Sequence, residues 1–449
     1  MNILLMVHHF PPKYFGGSEQ YTYRLASTLL QNGHHVEVAA IESITEGDLV
    51  PREQVDVLDG ITVHRLFTDF SKAPDALRWS FRNLGLGEWV AGYLKEHRPD
   101  VVHFNSGYLL SGSVFEAAFA AGIPTVLTLH DFWFVCPRIT LIRTDGEICD
   151  HPVPTTRCVW CNLSDRRRFY LMDQVMGGRL GDVFEKVGAL PVFNSIPAIG
   201  ERIDAFEERR TYLAGILEQV DVALSPSHFL MEKIGEYGPL PRKMVYLPFG
   251  IRMTPAPKSQ GAGGGEKIRI GYLGQMVPHK GVHLLLQAFH ALSRDYAGCE
   301  LNLYGRLDGR NSYEKKLLRM ASGNPAIHFR GAIPNEQVGQ VLSELDMIVV
   351  PSIWYENRPT VIVEAQMTGT PVIAARLGGM AELVEHGVNG LLFKPGNAED
   401  LEEQLRYVCD HPEHLAGLSQ GIRPVPTLED EVAQLIKIYE GLLLPQPAA

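Results

Sequence analysis

The sequence predicts an α/β protein of two domains, each with a doubly wound, mostly parallel β-sheet. Three observations lead to this prediction. Short apolar runs of strand length alternate with helical stretches along most of the chain. Residues 255–267, rich in glycine and proline, form the one clear linker by composition and separate two parts of similar length. With 449 residues, 45% of them apolar, the chain is long enough for two large cores.

Composition argues against several classes of protein. A net charge of -11 argues against a general nucleic-acid binder. The longest largely apolar stretch, residues 115–134, is broken by charged residues and a proline, so no bilayer-spanning helix is expected. The first residues show neither a basic region nor a cleavage site. We therefore expect a cytoplasmic protein.

The first predicted domain, residues 1–254, alternates strands and helices. A helix is expected over residues 18–30, with Ser18 as its N-cap and Gly33 after its end. Asp59-Gly60 predicts a hairpin turn between two short strands. The other predicted strands are residues 3–7, 36–41, 101–104 and 125–129, followed by strands within 220–227 and 244–248.

Ligands gather at the carboxyl ends of the strands in such a sheet, and two candidate sites follow strands of the first domain. Gly16 and Gly17 directly precede a helix, so their backbone can approach a phosphate closely; an ordinary turn is the alternative. His130 follows the strand at 125–129 and can donate a hydrogen bond to a hydroxyl or carbonyl. A purely structural histidine is the alternative interpretation there.

Residues 166–218 change to a long, charged, helical pattern. Residues 166–172 are basic and aromatic, which has two interpretations. They form either a solvated helix face or a contact with an anionic membrane or an acceptor.

Four of the six cysteines, Cys136, Cys149, Cys158 and Cys161, fall within one short loop-rich stretch. The two-residue spacing at its end lets both thiolates grip one tetrahedral ion, and a loop with few apolar residues would gain order from a metal. We expect structural zinc, with an iron–sulfur cluster as the alternative metal and chance clustering as the alternative without one. Cys299 and Cys409 are expected to be isolated buried thiols.

The second predicted domain, residues 268–427, has six predicted strands. Its first turn, residues 274–281, matches neither the dinucleotide fingerprint nor a P-loop. Lys280 stands beside glycines at a helix start, which suits a diphosphate, although a surface lysine is the alternative. The predicted strands are residues 268–273, 301–304, 327–330, 347–350, 372–375 and 391–393.

Residues 346–378 predict strand, loop, helix and strand. Pro359 suits the first turn of the helix, and the N–H groups of Thr360 and Val361 favour an anion at its start. Glu356 lies just before the helix and Glu364 about one and a half turns within it. Two solvated acids are the alternative to a ligand site at this position.

With these motifs together, the chain resembles the retaining glycosyltransferases of the GT-B fold in family 4. The resemblance covers nearly the whole chain and is most specific at Glu356 and Glu364, which match the family's E-x7-E element. It implies two Rossmann-like domains facing a central cleft. It also implies that residues 428–449 form a C-terminal helix that crosses back to the first domain.

The resemblance also implies residue roles. Glu356 would lie by the donor sugar, Glu364 would bind the nucleotide ribose, and His130 would contact the donor sugar. Gly17 would approach the distal phosphate and Lys280 would bind the diphosphate. Gln275 stands where the family has an arginine, and nearby Arg358 is a candidate to compensate. The remaining candidate donor-binding residues are Gly16, Asn357, Pro359 and Thr360.

The activity that the resemblance implies is transfer of a sugar, with retention and without a catalytic metal. The donor would be a nucleotide-diphosphate sugar and the acceptor a glycan, a lipid-linked molecule or a small molecule of cell-surface glycoconjugate synthesis. Peripheral contact with the inner face of the membrane is compatible with this. A nucleotide-sugar epimerase and a non-catalytic nucleotide-sugar-binding protein are the alternatives.

Overall fold

The computed structural model describes residues 1–187, 197–238, 240–253 and 267–444. The predicted linker, apart from its last residue, lies outside the described residues. The chain divides into two compact units. The first comprises Met1–Pro226, Leu230–Leu247 and Asp430–Ala449, and the second Ser227–Phe229 and Pro248–Glu429.

The first unit is built on an eight-stranded sheet in the order β3-β4-β2-β1-β5-β6-β7-β8. All neighbours are parallel except β3 and β4, which form the hairpin predicted at Asp59-Gly60. Strands β5, β6 and β7 are buried along their whole length because helices cover both faces. The strands are β1 Asn2–Val7, β2 His35–Asp48, β3 Arg52–Leu58, β4 Ile61–Thr68, β5 Val101–Phe104, β6 Thr125–Thr128, β7 Val222–Ser225 and β8 Met244–Tyr246.

Helices cover this sheet, and the start of the first one corrects a prediction. Helix α1 begins at Gly17, with Gly16 as its N-cap and no side-chain cap, so Ser18 is not the N-cap. The helices up to the crossover are α1 Gly17–Gln31, α2 Ala76–Trp79, α3 Leu84–His97, α4 Ser113–Ala121, α5 Thr155–Leu163, α6 Arg167–Val175, α7 Leu180–Val187, α8 Pro197–Gln219 and α9 His228–Tyr237.

The second unit is a six-stranded, wholly parallel sheet in the order β11-β10-β9-β12-β13-β14. All six predicted strands are confirmed, as is the doubly wound class. The strands are β9 Ile268–Leu273, β10 Cys299–Tyr304, β11 Ile327–Gly331, β12 Met347–Val350, β13 Val372–Ala375 and β14 Gly390–Phe393. The helices are α10 Val282–Leu292, α11 Ser312–Ala321, α12 Val338–Glu344, α13 Thr360–Met367, α14 Gly379–Leu383, α15 Ala398–Asp410 and α16 His414–Gln420.

The last helix, α17, spans Leu428–Leu443, and its residues from Asp430 onward belong to the first unit. Two buried polar contacts hold it there. The Tyr21 hydroxyl donates to Glu431 Oε1 at 2.7 Å, and the Tyr439 hydroxyl lies 2.5 Å from His103 Nδ1. Glu431 and Tyr439 are at most 1% exposed, so the helix is part of the core of this unit.

Cys299 and Cys409 were expected to stand alone, and the structure corrects this. Cys299 opens β10 and Cys409 lies in the last turn of α15, and their Sγ atoms are 2.8 Å apart. Cys299 is buried and Cys409 half-buried. Elements that are distant in sequence thus bring the two thiols together.

Candidate active site

The loop between β12 and α13 carries the acidic candidate of the second unit. Pro359 is the N-cap of α13 with φ of -65°, so the helix begins at Thr360. Helix α13 ends at Met367, and Gly369 follows with φ of +69°. The expected strand, loop and helix are therefore present, with Glu356 in the loop.

Glu356 is the centre of a compact hydrogen-bonded cluster. Its Oε1 accepts from Lys280 Nζ at 2.6 Å, from Trp354 Nε1 at 2.7 Å and from the Ser352 hydroxyl at 2.8 Å. Glu356 is only 8% exposed, and Lys280 Nζ also lies 5.2 Å from the centre of the Trp354 ring. Within the described residues Oε2 accepts no hydrogen bond. One carboxylate oxygen is thus fixed and the other is available to a ligand.

Two glycines let neighbouring turns approach this loop. Gly281 has φ of +72°, and a Cβ there would collide with the carbonyl oxygen of Pro351. The Gly379 amide donates to the Glu356 carbonyl at 2.7 Å, and a Cβ at Gly379 would collide with the Asn357 carbonyl. Close backbone packing therefore sets the position of Lys280 relative to Glu356.

The remaining predicted donor residues differ in exposure. Arg358 and Pro359 are buried, Asn357 and Glu364 half-buried, and Thr360 exposed at the start of α13. Gln275 is exposed, and its carbonyl accepts from the Tyr272 hydroxyl at 2.8 Å. Among the predicted donor-binding residues, Lys280 and Glu356 are in direct contact through the hydrogen bond described above.

In the first unit, the start of α1 holds an acid that sequence reasoning missed. Glu19 folds back over Gly16, where a Cβ would meet its carboxylate. The carboxylate lies 3.4 Å from His8 Nε2 and accepts from the Ser18 hydroxyl at 3.0 Å. Burial, the largest single influence, opposes ionisation, but the hydrogen bond and charge of His8 and the hydrogen bonds from the Glu19 amide and Ser18 together outweigh it and lower the pKa of Glu19 to about 2. An acid in the first turn was the available signal.

His130 lies just beyond β6, as predicted, with its ring edge-on to Tyr21 at 4.9 Å between centroids. Burial, and then repulsion from His8, lowers the pKa of His130 to about 3. The imidazole is therefore neutral at pH 7, which suits a hydrogen bond to an uncharged sugar group.

The four cysteines lie in more ordered surroundings than predicted. Cys158 and Cys161 are one turn apart on α5, which packs Val159 and Leu163 against Ile203 and Phe206 of α8. This stretch therefore has a small core of its own, contrary to the expectation that a metal must supply its order.

Cys136, Cys149 and Cys158 line one cavity of about 110 Å³, together with the buried Arg209. Burial, and then the neighbouring thiols, raises the pKa of Cys158 to about 12. In the described ranges, no group of three or more His, Cys, Asp or Glu side chains is arranged to hold a metal ion. The metal assignment stays a prediction.

Two protein families match the chain. Residues 16–153 match the glycosyl transferase 4-like domain, and residues 257–423 match the glycosyl transferases group 1 family. Glycogen synthase of Mycobacterium tuberculosis is 22% identical over 431 residues, 92% of this chain and 87% of that protein. D-inositol 3-phosphate glycosyltransferase of Corynebacterium kroppenstedtii is 30% identical over 147 residues, 31% of this chain and 32% of that protein.

Solved structures show the same fold. Sucrose-phosphate synthase from Thermosynechococcus elongatus aligns with a TM-score of 0.64 at 17% identity, over 98% of both chains. HepE of Anabaena in complex with UDP aligns with a TM-score of 0.64 at 18% identity, over 98% of this chain and 100% of that one. The fold and the family matches define a glycosyltransferase of the GT-B fold. The first part of the chain belongs to the glycosyl transferase 4-like family and the second to the glycosyl transferases group 1 family, as the resemblance predicted.

None of the described helices combines the length and apolar composition of a bilayer-spanning segment.

Proposed function

We propose that this glycosyltransferase transfers a sugar, with retention of anomeric configuration and without a catalytic metal, from a nucleotide-diphosphate sugar. The acceptor would be a glycan, a lipid-linked molecule or a small molecule of cell-surface glycoconjugate synthesis. The observation that carries the proposal is the Glu356 cluster: a buried carboxylate fixed at one oxygen by Lys280, Ser352 and Trp354. HepE, a structural neighbour, has been solved with UDP-glucose, which supports a nucleotide-sugar donor.

The chemistry requires that negative charge on the leaving diphosphate be stabilised as the sugar departs. Lys280 supplies a positive charge, and the exposed start of α13 at Thr360 supplies backbone N–H groups. The unoccupied Oε2 of Glu356 can accept a hydrogen bond from a sugar hydroxyl. Glu364, on the same helix, is proposed to accept from the nucleotide ribose.

In the first unit, the neutral imidazole of His130 is proposed to contact the sugar. The proposal also assigns the Gly17 amide to a phosphate oxygen, since Gly17 is exposed and nothing lies within 4 Å of where its Cβ would be. Glu19 lies at the same helix start, so a bound phosphate would have to displace its carboxylate.

We keep the four-cysteine zinc site as a proposal separate from catalysis. Its support is that Cys136, Cys149 and Cys158 share a cavity, with Cys161 one turn along α5 from Cys158. Coordination would require side-chain rotation and loss of the thiol protons, which metal binding drives. Buried Arg209 would offset part of the negative charge of the thiolates.

The decisive experiment is a thermal-shift panel of nucleotide sugars, followed by transfer assays on the best binder. NMR of the product's anomeric proton reports retention, and activity in excess EDTA reports metal independence. Glu356→Gln should abolish most transfer, whereas Glu336→Gln, at an exposed acid of the same unit, should not. Isomerisation of the donor without sugar transfer would show an epimerase. Binding of the donor without turnover with any acceptor would show a non-catalytic nucleotide-sugar-binding protein.

A further inference from the structure

The Cys-rich stretch and helix α6 form a basic pocket in the first unit. The pocket has a volume of about 380 Å³. Its charged lining is Arg138, Arg143, Arg167 and Asp165, and Tyr170 also lines it. The backbone hydrogen bond from the Arg143 amide to the Glu147 carbonyl, 2.8 Å long, closes the hairpin turn that presents Arg143.

Positive charge in this pocket exceeds negative charge. Arg138 pairs with Asp165, which neutralises both. Neither Arg143 nor Arg167 has a carboxylate within 4 Å in the described residues, and the Nε of Arg143 is buried without a hydrogen-bond partner there. Arg143 is partly balanced by the Cys149 thiol and by the more distant Asp145 and Glu185. The lining nevertheless holds three arginines and one acid, which suits an anion with several oxygens, such as a phosphate.

Helix α6 continues from this pocket and exposes an apolar face. Tyr170, Leu171, Met172, Val175 and Met176 are between 44% and 85% exposed. At about 100° per residue, the last four occupy an arc of about 140° on one side of the helix. Isolated exposed apolar residues are ordinary, but five within seven residues mark an interaction surface.

The flank of α6 that adjoins this arc anchors the helix to the protein. Phe169 packs against the small core of α5 and α8, and buried Asp173 accepts from the Leu180 amide at 3.1 Å. The exposed apolar side chains of α6 are therefore not the ones that pack the helix against the rest of the first unit. Arg168, whose guanidinium lies 4.6 Å from the Phe169 ring, and Arg179 add exposed positive charge around them.

We propose that this surface, the pocket of Arg138, Arg143 and Arg167 with the apolar face of α6, docks on an anionic lipid bilayer. The guanidinium groups bind lipid phosphates, and the apolar side chains enter the boundary between headgroups and acyl chains. Charge and apolarity side by side distinguish this partner from a soluble anion, which needs only the pocket. The proposal does not rest on sugar transfer, because binding to vesicles needs no donor.

The test is co-sedimentation of the full chain with vesicles of phosphatidylcholine alone or with added phosphatidylglycerol. We expect binding only with the anionic lipid, weakened by high salt. The double variant Arg143→Gln/Arg167→Gln should bind about 25-fold more weakly, since each basic residue near such a surface contributes about fivefold. Leu171→Gln/Val175→Gln should also lose binding, and this loss should persist at any salt concentration.

Matched controls come from exposed residues elsewhere. Arg319→Gln in the second unit and Val57→Gln on β3 should bind as the unaltered protein does. If the Arg143 variant is unstable, Arg167→Gln/Val175→Gln replaces only exposed side chains and should lose binding.

Several outcomes would overturn the proposal. These are equal binding to both kinds of vesicle, unchanged binding of the variants, or no binding to either. If inorganic phosphate raises the thermal stability of the protein while no vesicles are bound, the pocket is a site for a soluble anion instead. Self-association in size-exclusion chromatography that Leu171→Gln/Val175→Gln abolishes would identify a second copy as the partner.

Discussion

Glu356 receives three hydrogen bonds at one oxygen. Only one of the donors, Lys280, was singled out from sequence, and it was assigned to the diphosphate and not to Glu356. Lys280 was singled out because it stands beside glycines at a helix start. Ser352 and Trp354 were not, because a serine and a tryptophan near an acid are common in loops and their approach depends on the backbone path. His8 and Glu19 were missed for the same reason: the pairing depends on the end of β1 meeting the start of α1.

Lys280→Ala should lower kcat more than it raises donor KM. The charge of Lys280 matters most when the diphosphate leaves, so its loss is felt in the transition state. Glu356 would keep Ser352 and Trp354 as donors, so the loop should remain in place. Steady-state kinetics check this, with the exposed Lys315→Ala as control. An effect confined to KM would contradict the assignment.

Glu364→Ala should weaken nucleotide binding by roughly 1.5–3 kcal/mol, the cost of losing a hydrogen bond to a charged group. The side chain is half-buried on α13 and its removal should leave the helix intact. Calorimetric titration with the nucleoside diphosphate of the best donor measures the loss. Unchanged affinity would remove Glu364 from the ribose site.

At the scale of elements, sequence located helices better than it located their ends and environments. Helix α17 begins at Leu428, as the resemblance implied, and ends at Leu443, whereas residues 445–449 of the predicted range lie outside the described residues. The start of α1 was misjudged because Ser18 has the chemistry of an N-cap, whereas Gly16 gives the Glu19 carboxylate room. Helix α5 was missed because the prolines and glycine before it suggested turns throughout.

The anchoring of α17 predicts an unequal response of two tyrosines. Tyr21→Phe removes a donor to the buried Glu431 carboxylate, which should cost about 1.5–3 kcal/mol of unfolding free energy. Tyr23→Phe removes a hydrogen bond of 2.6 Å to Asp59 at the surface and should cost less than about 1 kcal/mol. Urea unfolding of both variants compares them, and equal losses would contradict the buried role of Glu431.

The four-cysteine stretch predicts a measurable metal content. Protein purified without a histidine tag should hold about one equivalent of zinc per four thiols, or about two to four equivalents of iron if a cluster is bound. Cys158→Ser should release it, and Cys409→Ser in the other unit should not. Less than about half an equivalent, with four freely titrating thiols, would mean that the stretch is held only by its own small core.

For the molecule as a whole, the fold class and the domain organisation could be predicted, because both follow from local patterns in the sequence. Alternating strands and helices define the doubly wound sheets, and all six strands of the second unit were located in advance. The meeting of Cys299 with Cys409 could not be predicted, because it joins the start of β10 to the end of α15 across 110 positions.

The stability of the first unit should fall on mild acidification. Burial, and then repulsion from His130, lowers the pKa of His103 to about 3 from an ordinary value of 6.5. Between these pH values the unfolded chain binds a proton that the folded chain does not. Folding stability should therefore fall by about 1.4 kcal/mol for each pH unit below 6.5, and by a similar amount again for His130.

Urea unfolding at pH 7, 6 and 5 checks this, followed by tryptophan fluorescence, since four of the five tryptophans lie in the first unit. His35→Gln, at a side chain 64% exposed, is the matched control and should leave the slope unchanged. A stability that is flat over this range would show that both buried histidines titrate as they do in the unfolded chain.

Gly281 and Gly379 bear on how this enzyme can be evolved toward new donors. A library that varies either position would consist largely of variants with a displaced Glu356 loop, because a side chain collides with backbone there. Diversity placed at Gln275, whose side chain is exposed, leaves the Glu356 loop intact. Under the proposed function, a new sugar specificity is thus more accessible at Gln275 than at the glycines that hold the loop in place.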